Sequence, residues 1–453
     1  MESSKNMKMD PRKMRRIIAE DPEWNLETVS PLTELCIQHL VRSFNERPVL
    51  KELLPKHQTL LLSILPTKTP ISITGPLIEE ETFWERCCKT RWDLCDVSCY
   101  DNCWKRMYFE RHLEDTLEKF VPPDLSSSMH GDSMKEILAL LDLCNPFVKR
   151  LDIKQLLPND RMGGTAEEED TESLSELSAT HKVKDHLDIQ YLTKHMSNLE
   201  ELCVCYRVKN CGMNFEWMLF QFTPTDCKNL CQAVKSSKCL QTLRLHHSQV
   251  SDDQARQLIS YLLDHPVLKE LELSHNKLGD GAGRALSKLL NGHSNLHTLD
   301  VSNNCIGGQG GIAIGHALAN NTHLVCLNLR LNRLGDEGGQ AIIKNMIKNK
   351  TLYTLNLASN DITESTAAVL SEMLILNTTL TGLILSCNKI GEAGGRALQE
   401  GMEENKTMLQ LDLRLTDISQ ENEYYINQVI KNNNDAVKNN NDALKTAAIN
   451  KRS

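Results

Sequence analysis

The residues best able to do chemistry are cysteines. Cys87, Cys88, Cys95, Cys99 and Cys103 fall close together, with His112 just downstream. Thiolates and imidazoles are zinc ligands, and a structural zinc site pairs them about two to four residues apart, with a second pair across a loop. From Cys88 onward the steps are seven, four and four. A step of four is also one turn of helix. The spacing reads rather as buried or incidental thiols, so no metal is assigned. Cys203 and Cys205 alternate on an extended run and share one face of it. The glycine-rich turns Gly279-Asp-Gly281-Ala-Gly283 and Gly307-Gly308-Gln-Gly310-Gly311 look like phosphate loops. Neither continues into the Gly-Lys-Ser/Thr that completes one. No Ser-His-Asp order, HExxH or nucleophile elbow appears in a supporting context. The sequence therefore nominates no catalytic residue, cofactor or metal, and the chain reads as a binder.

Binding residues are easier to nominate, because a repeat places them. The frame LxxLxLxxNxL runs from Leu268 through Leu271, Leu273 and Asn276 to Leu278. It returns at Leu296, Leu324, Leu352 and Leu380, with asparagines at Asn304, Asn332, Asn360 and Asn388. Degenerate copies start at Leu240 and Met408, with Ser248 and Thr416 in place of the asparagine. Every step is 28 residues, inside the window of about 20–29 for a leucine-rich repeat. The LxL alternation makes a short strand with one buried face, and the asparagine turns inward to bond the backbone at the turn. A helix follows. Leu258, Leu286, Ile314, Ile342, Leu370 and Leu398 recur eighteen residues past each start, with a second apolar residue four further on. That spacing keeps both on one helical face. Position fifteen is always small, from Ala255 to Gly395, which suits a helix lying close on the strand layer. Asn321, Asn349, Asn377 and Asn405 recur near the helix ends, where asparagine tolerates a left-handed cap. The expected fold is α/β: a solenoid of 28-residue strand–helix units like the ribonuclease-inhibitor horseshoe, strands inside the curve, preceded by an α-helical N-terminal domain.

In that solenoid, positions two, four and six of each repeat point into the curve. They carry Glu270, Glu272, Asp300, Asn328, Arg330, Asn356, Asp412 and Arg414. This run of both charge signs is the expected partner-binding face, since solenoids bind through their curve. A second candidate is the aromatic insertion with Phe215, Trp217 and Phe220, because such residues left exposed would be a liability.

The whole chain sets bounds. Its 453 residues allow two or three domains, and 40% hydrophobic with 25% charged residues is ordinary for a globular chain. A net charge of −9 speaks against a nucleic-acid partner. No run approaches the roughly 18 apolar residues of a membrane span. The basic N-terminus has no apolar core or cleavage site and is not expected to be a secretory signal, so the 16 cysteines are expected as reduced thiols in the cytoplasm.

The chain then divides as follows. Residues 1–10 are polar and expected to be disordered. Residues 11–145 read as a helical N-terminal domain that caps the solenoid, with amphipathic stretches at 14–19, Thr33–Phe44, Pro55–Leu65, Glu79–Leu94 and Trp104–Phe120. Residues 146–239 hold degenerate repeats at Val148 and Leu199, an acidic loop at 159–185 too poor in apolar residues to order itself, and the insertion at 208–222. Residues 240–418 are the regular repeats. Residues 419–453 leave the repeat as a C-terminal helix or polar tail, with Asn432-Asn-Asn-Asp435-Ala-Val437-Lys438 echoed seven residues later.

Several stretches outside the repeats resemble one family. They are Arg15-Arg-Ile-Ile-Ala-Glu-Asp-Pro-Glu-Trp24, Leu32-Thr-Glu-Leu-Cys-Ile-Gln-His-Leu40, Trp104-Lys-Arg-Met-Tyr-Phe-Glu-Arg-His-Leu-Glu114, Cys211-Gly-Met-Asn-Phe-Glu-Trp217 and Leu262-Leu-Asp-His-Pro-Val-Leu268. With the repeats they resemble the T-complex-associated testis-expressed protein 1 family, the leucine-rich-repeat subunit 5 of the nexin–dynein regulatory complex. The resemblance covers roughly residues 11 to 430. It implies a non-catalytic scaffold in the axoneme of motile cilia and sperm flagella, within cytoplasm and cytoskeleton. The implied partners are the other subunits of that complex and, indirectly, doublet microtubules and dynein, with no membrane. Two other classes stay open. Repeats of this length also look like the GTPase-activating protein for Ran, and a helical domain before such repeats also resembles F-box adaptors of ubiquitin ligases. A GTPase assay and a pull-down with the ligase adaptor separate these.

Overall fold

A computed structural model describes residues 15–16, 28–29, 31–122, 130–158, 186–214, 221–291 and 294–450. Segment 1–10, the acidic stretch 159–185 and the aromatic residues Phe215, Trp217 and Phe220 lie outside the described residues. Two compact units are present, Met1–Arg111 and His112–Ser453.

In the first unit, β1 (Arg15–Arg16) pairs antiparallel with β2 (Thr28–Val29). The sequence reads as a short helix at 14–19. So short a helix cannot hold itself in water, and at Arg15 and Arg16 strand pairing takes its place. Four helices fall where the sequence places them: α1 (Leu32–Arg42), α2 (Pro55–Ile64, with proline in its first turn), α4 (Glu81–Arg91) and α5 (Trp104–Leu117), which crosses into the second unit. The sequence reading does not foresee α3 (Ile71–Leu77). Trp84 anchors this core. It is fully buried, donates from Nε1 to the Ile78 carbonyl at 3.1 Å, and meets the rings of Phe83, Tyr108 and Phe109 at 5.2–5.5 Å.

The second unit opens with α6 (His130–Cys144), β3 (Arg150–Ile153), α7 (Gln190–His195), β4 (Glu201–Val204), α8 (Pro224–Ser236), β5 (Thr242–Leu245) and α9 (Asp252–Leu262). The regular repeats add β6 (Glu270–Glu272), α10 (Asp280–Asn291), β7 (Thr298–Asp300), α11 (Gly308–Leu318), β8 (Cys326–Asn328) and α12 (Gly335–Met346). The chain closes with β9 (Thr354–Asn356), α13 (Glu364–Leu376), β10 (Gly382–Ile384), α14 (Gly391–Glu403), β11 (Gln410–Asp412) and α15 (Gln420–Asn450). Strands β3 to β11 form one parallel sheet in sequence order. This is the leucine-rich-repeat solenoid of strand–helix units. Leu271, Leu299 and Leu327 stand in register across neighbouring strands, and so do Leu151, Leu202 and Leu243. The degenerate repeats at Val148 and Leu199 therefore belong to the same sheet. At its first edge, the carboxylates of Glu114 and Glu118 accept from the backbone N–H groups of Asp152 at 2.7 Å and Lys154 at 2.8 Å. That satisfies donors an open edge would leave bare.

The asparagine ladder is buried and bonds as the repeat predicts. Asn332 accepts from the Ile306 N–H at 3.0 Å, and its Nδ2 donates to the Val301 and Leu329 carbonyls, each at 3.0 Å. The residue before each rung is left-handed: His247, His275, Asn303, Leu331, Ser359, Cys387 and Leu415 all have φ between 52° and 59°. Leucine is a poor occupant of that region, where a Cβ crowds the following carbonyl. Leu331 is 40% exposed, so its side chain gains little in return. Leu331→Asn should therefore raise stability by about 1 kcal/mol, read as a higher urea midpoint at unchanged slope. A lower midpoint would mean that the leucine holds the turn by packing.

Three expectations about the repeat need correcting. Asn321, Asn349, Asn377 and Asn405 are not left-handed caps. Asn377, for example, is extended, with φ −83° and ψ 127°. They form a second buried ladder: Asn321 Nδ2 donates to the Leu290 carbonyl of the preceding helix at 2.8 Å, and its Oδ1 accepts from the Leu324 N–H at 2.7 Å. The small residues at position fifteen answer to the next repeat, not to their own strand. A Cβ on Gly283 would lie 2.7 Å from Gly310 Cα, in the neighbouring helix. Nor does the repeat stop at 418. Ile426 and Asn433, eighteen and twenty-five residues past Met408, are buried, and Asn433 Nδ2 donates to the Met408 carbonyl at 3.0 Å. The first half of α15 is thus the helix of the last repeat.

Candidate functional site

The strand layer presents positions two, four and six on its open face, and the register sets their neighbours. Glu272, Asp300 and Asn328 stand side by side on β6, β7 and β8. Strands stand about 4.8 Å apart, so Glu270, Glu272, Asp300, Asn328, Arg330 and Asn356 share one surface. Asp412 and Arg414 do not join it. Between them and β9 lies β10, whose positions two and four are Gly382 and Ile384. The predicted set is therefore two patches.

Arg244, which the sequence shows only as one more position-four residue, is the hub of the first patch. Its guanidinium lies 3.1 Å from Glu270, 3.5 Å from Glu272 and 3.8 Å from Glu201, which also faces Arg150 at 3.6 Å. Part of the acidic zone is therefore neutralised from within. Even so, Glu201, Glu270, Glu272 and Asp300 outnumber Arg150 and Arg244, and all are at least partly exposed. Arg330 is exposed at the margin.

Position four also has a structural duty that its polarity does not reveal. Asp300 Oδ1 accepts from the Ser302 N–H at 2.8 Å, Asn328 from Arg330 at 3.1 Å, Asn356 from Ala358 at 3.0 Å and Asp412 from Arg414 at 3.2 Å. Each is an Asx turn that ends its strand. These residues are not free of structural work, and a test of binding must preserve those bonds. Asp300 also accepts from Asn328 Nδ2 at 2.7 Å. Asp412 holds Arg414 by two bonds, at 2.8 and 2.7 Å, and the Arg414 hydrogen bond keeps its carboxyl below the usual range.

Beside the hub, Cys203 and Cys205 share His246. Their sulfurs lie 3.1 and 3.3 Å from its Nε2, and His246 Nδ1 meets His247 Nδ1 at 3.0 Å. The hydrogen bond with Cys203 raises the His246 pKa, whereas burial lowers His247 to about 4. The cysteines from 87 to 103 do not converge. Cys88 points at the Trp104 carbonyl at 3.6 Å, Cys95 at the Trp92 carbonyl at 3.5 Å and Cys103 at Glu81 at 3.2 Å. Among the described residues no group of three or more His, Cys, Asp or Glu could hold a metal ion.

The glycine turns have their donors already taken. Asp252 accepts from Gly279 and Gly281 N–H at 2.5 and 2.9 Å, and Asp280 from Gly307 and Gly310 N–H, both at 2.8 Å. A phosphate would have to displace a carboxylate from the preceding repeat. Asp336 does the same for the Thr363 N–H at 2.8 Å. Desolvation pushes its carboxyl up, but the bonds from Thr363 and Thr366 outweigh this and hold it at about 2. That link is intact at neutral pH and is lost only as pH falls toward 2. Its sequence signal is an acidic residue at position twelve in several repeats.

The family described as Leucine Rich repeat matches residues 264–287, 292–315, 320–342, 348–365 and 376–398. Mouse dynein regulatory complex subunit 5 is 49% identical over 256 residues, which is 56% of this chain and 50% of that protein. The human protein of the same name is 47% identical over the same length. The one from Chlamydomonas reinhardtii is 32% identical over 231 residues, half of each chain. The chain spans about half the length of the curated relatives it matches. Over that span it is a homologue of dynein regulatory complex subunit 5.

Proposed function

We propose that this homologue of dynein regulatory complex subunit 5 serves as a non-catalytic scaffold subunit of that complex in the axoneme. There it holds partner subunits while the complex links outer doublets and regulates dynein-driven bending of cilia and flagella. The supporting observation is the identity to subunits named for that complex, from mouse to an alga. The fold agrees in kind, because a rigid repeat scaffold offers a long surface and needs no reacting group. No described helix is long and apolar enough to cross a membrane.

Docking is assigned to the strand face around Glu272, Asp300 and Arg330, where residual negative charge suits a basic patch on a partner subunit. The test is in ciliated cells lacking their own copy, rescued with tagged chain. Glu272→Gln with Asp300→Asn removes charge but keeps the hydrogen-bond acceptors toward Ser274 and the Ser302 N–H. Adding Arg330→Glu reverses the margin. The triple variant should stay folded, melting slightly below the parent because the Asn328 bond to Asp300 and the Arg244–Glu272 pair are lost, while its co-purification with salt-extracted regulatory-complex subunits falls roughly tenfold. Normal assembly by a folded triple variant would exclude this face and move attention to Phe215, Trp217 and Phe220. Failure of the parent chain itself to reach axonemes would overturn the scaffold reading.

A further inference from the structure

The opposite, helical side of the second unit carries a feature that the scaffold reading does not use. Between α9 and α10 lies a cavity of about 330 Å³, lined by Arg256, Ile259, Ser260, Leu263, Arg284 and Lys288 among others. The residue at position nineteen of the repeat sets its floor. At position nineteen α11 has Gly315, where an added Cβ would lie 2.7 Å from the Ala341 carbonyl of α12. At the same position α9 has Ile259. Its side chain is buried, 2% exposed, and with Ala285 it forms an apolar floor.

The rim has the opposite character. Arg256, Arg284 and Lys288 are all exposed. Among the described residues Arg256 pairs with the largely exposed Asp253, at 3.2 Å. Arg284 and Lys288 stand one helical turn apart, where like charges repel, and neither has an ion pair among the described residues. In a chain of net charge −9, three cations with a single paired carboxylate around a hydrocarbon floor are a specific arrangement.

We propose that this groove docks an acidic peptide segment of a partner protein, one apolar side chain seated on Ile259 and Ala285 and flanking carboxylates paired with Arg256, Arg284 and Lys288. The floor favours this occupant over a phosphate-type anion, which needs converging donors. Gly281 at the start of α10 also lines the groove, and its N–H is already held by Asp252 at 2.9 Å. The volume suits a leucine-sized anchor with its adjoining backbone, within the range of ordinary ligand pockets. This inference does not depend on the scaffold proposal, because it concerns another surface and is tested on the isolated chain.

The experiment is fluorescence anisotropy with the full chain and a labelled glutamate-rich peptide bearing one central leucine. Two variants at exposed positions probe the two halves of the site. Arg284→Glu with Lys288→Glu inverts the rim, and Ser260→Trp fills the groove without changing charge. Each should keep the parent's melting profile and weaken binding roughly tenfold or more. Replacing the peptide's leucine by serine should weaken binding comparably, and raising salt should weaken it further. Failure of the parent chain to bind the peptide overturns the proposal. So does binding that survives both Ser260→Trp and the loss of the peptide's leucine, because attraction would then be nonspecific. Competition by millimolar inorganic phosphate as effective as by unlabelled peptide would reassign the groove to a small anion.

Discussion

Asp226→Ala should cost about 2–4 kcal/mol, from a lost helix cap of about 1 kcal/mol and a buried ring nitrogen left without its partner at about 1–3 kcal/mol. Asp226 and His186 are both buried, with His186 Nδ1 lying 2.8 Å from Asp226 Oδ2. Asp226 also accepts from the backbone N–H groups of His186 at 3.2 Å and Thr223 at 3.0 Å, and its own N–H donates to the Thr223 hydroxyl at 3.0 Å. One carboxylate thus joins the capping box of α8 to the chain that enters α7. His186 Nε2 has no partner among the described residues, so truncation would leave both ring nitrogens buried and unserved. The measurement is urea unfolding of the second unit's signal. The control is His186→Leu with Asp226→Leu. It should recover much of the loss, since a buried pair replaced whole by hydrocarbon is often near neutral, leaving the capping deficit of about 1 kcal/mol. A double variant as unstable as Asp226→Ala would show that the capping bonds, and not the orphaned histidine, carry the cost.

This pair also shows what a sequence hides. His186 and Asp226 are forty residues apart and outside the regular frame, so no spacing rule joins them. Inside the frame the opposite holds. Leu271 and Leu273 could be placed in the core because strand alternation and a constant period fix both face and register. The same register makes Arg244 a neighbour of Glu272, so the hub was readable by setting position-four residues side by side. The Asx turns were not readable in that way. Asp and Asn at position four suit a binding surface and a strand-ending turn equally, and only the 2.8 Å approach of the Ser302 N–H to Asp300 separates the two. Asn321 is ambiguous for a similar reason, since an amide at a helix end can cap it or bridge to the next repeat. The last repeat was cut short because its signature lies in the strand half, while Ile426 and Asn433 carry it on in the helical half. The groove over Ile259 is invisible in the sequence because its lining comes from two helices, α9 and α10, whose packing no spacing rule sets.

Asn332→Ala should cost about 2–3 kcal/mol, and the bonds say why it is not more. The amide serves four backbone groups, but three of them keep another donor. Arg330 O accepts from the Asn303 N–H at 2.8 Å. Val301 O also accepts from Asn304 Nδ2 at 3.0 Å, and Leu329 O from Asn360 Nδ2 at 2.8 Å. The group left bare is the buried Ile306 N–H, which Asn332 Oδ1 accepts at 3.0 Å, and one unsatisfied buried donor costs about 1–3 kcal/mol. Asn332→Asp should be worse than alanine. It keeps that acceptor but turns a carboxylate toward three carbonyls in a site only 5% exposed. Asn360→Ala should cost less than Asn332→Ala, because its acceptor bond to the Leu334 N–H is stretched to 3.5 Å. Repeat stability is close to a sum of units and nearest-neighbour interfaces. A lesion at Asn332, in the middle of the regular repeats, should therefore weaken coupling between the two halves as well as total stability. Denaturant unfolding should broaden, with the probes in α9 and α14 no longer melting together. Coincident, unshifted transitions in all three variants would mean that the turns are held by strand pairing alone and that the amide ladder is dispensable.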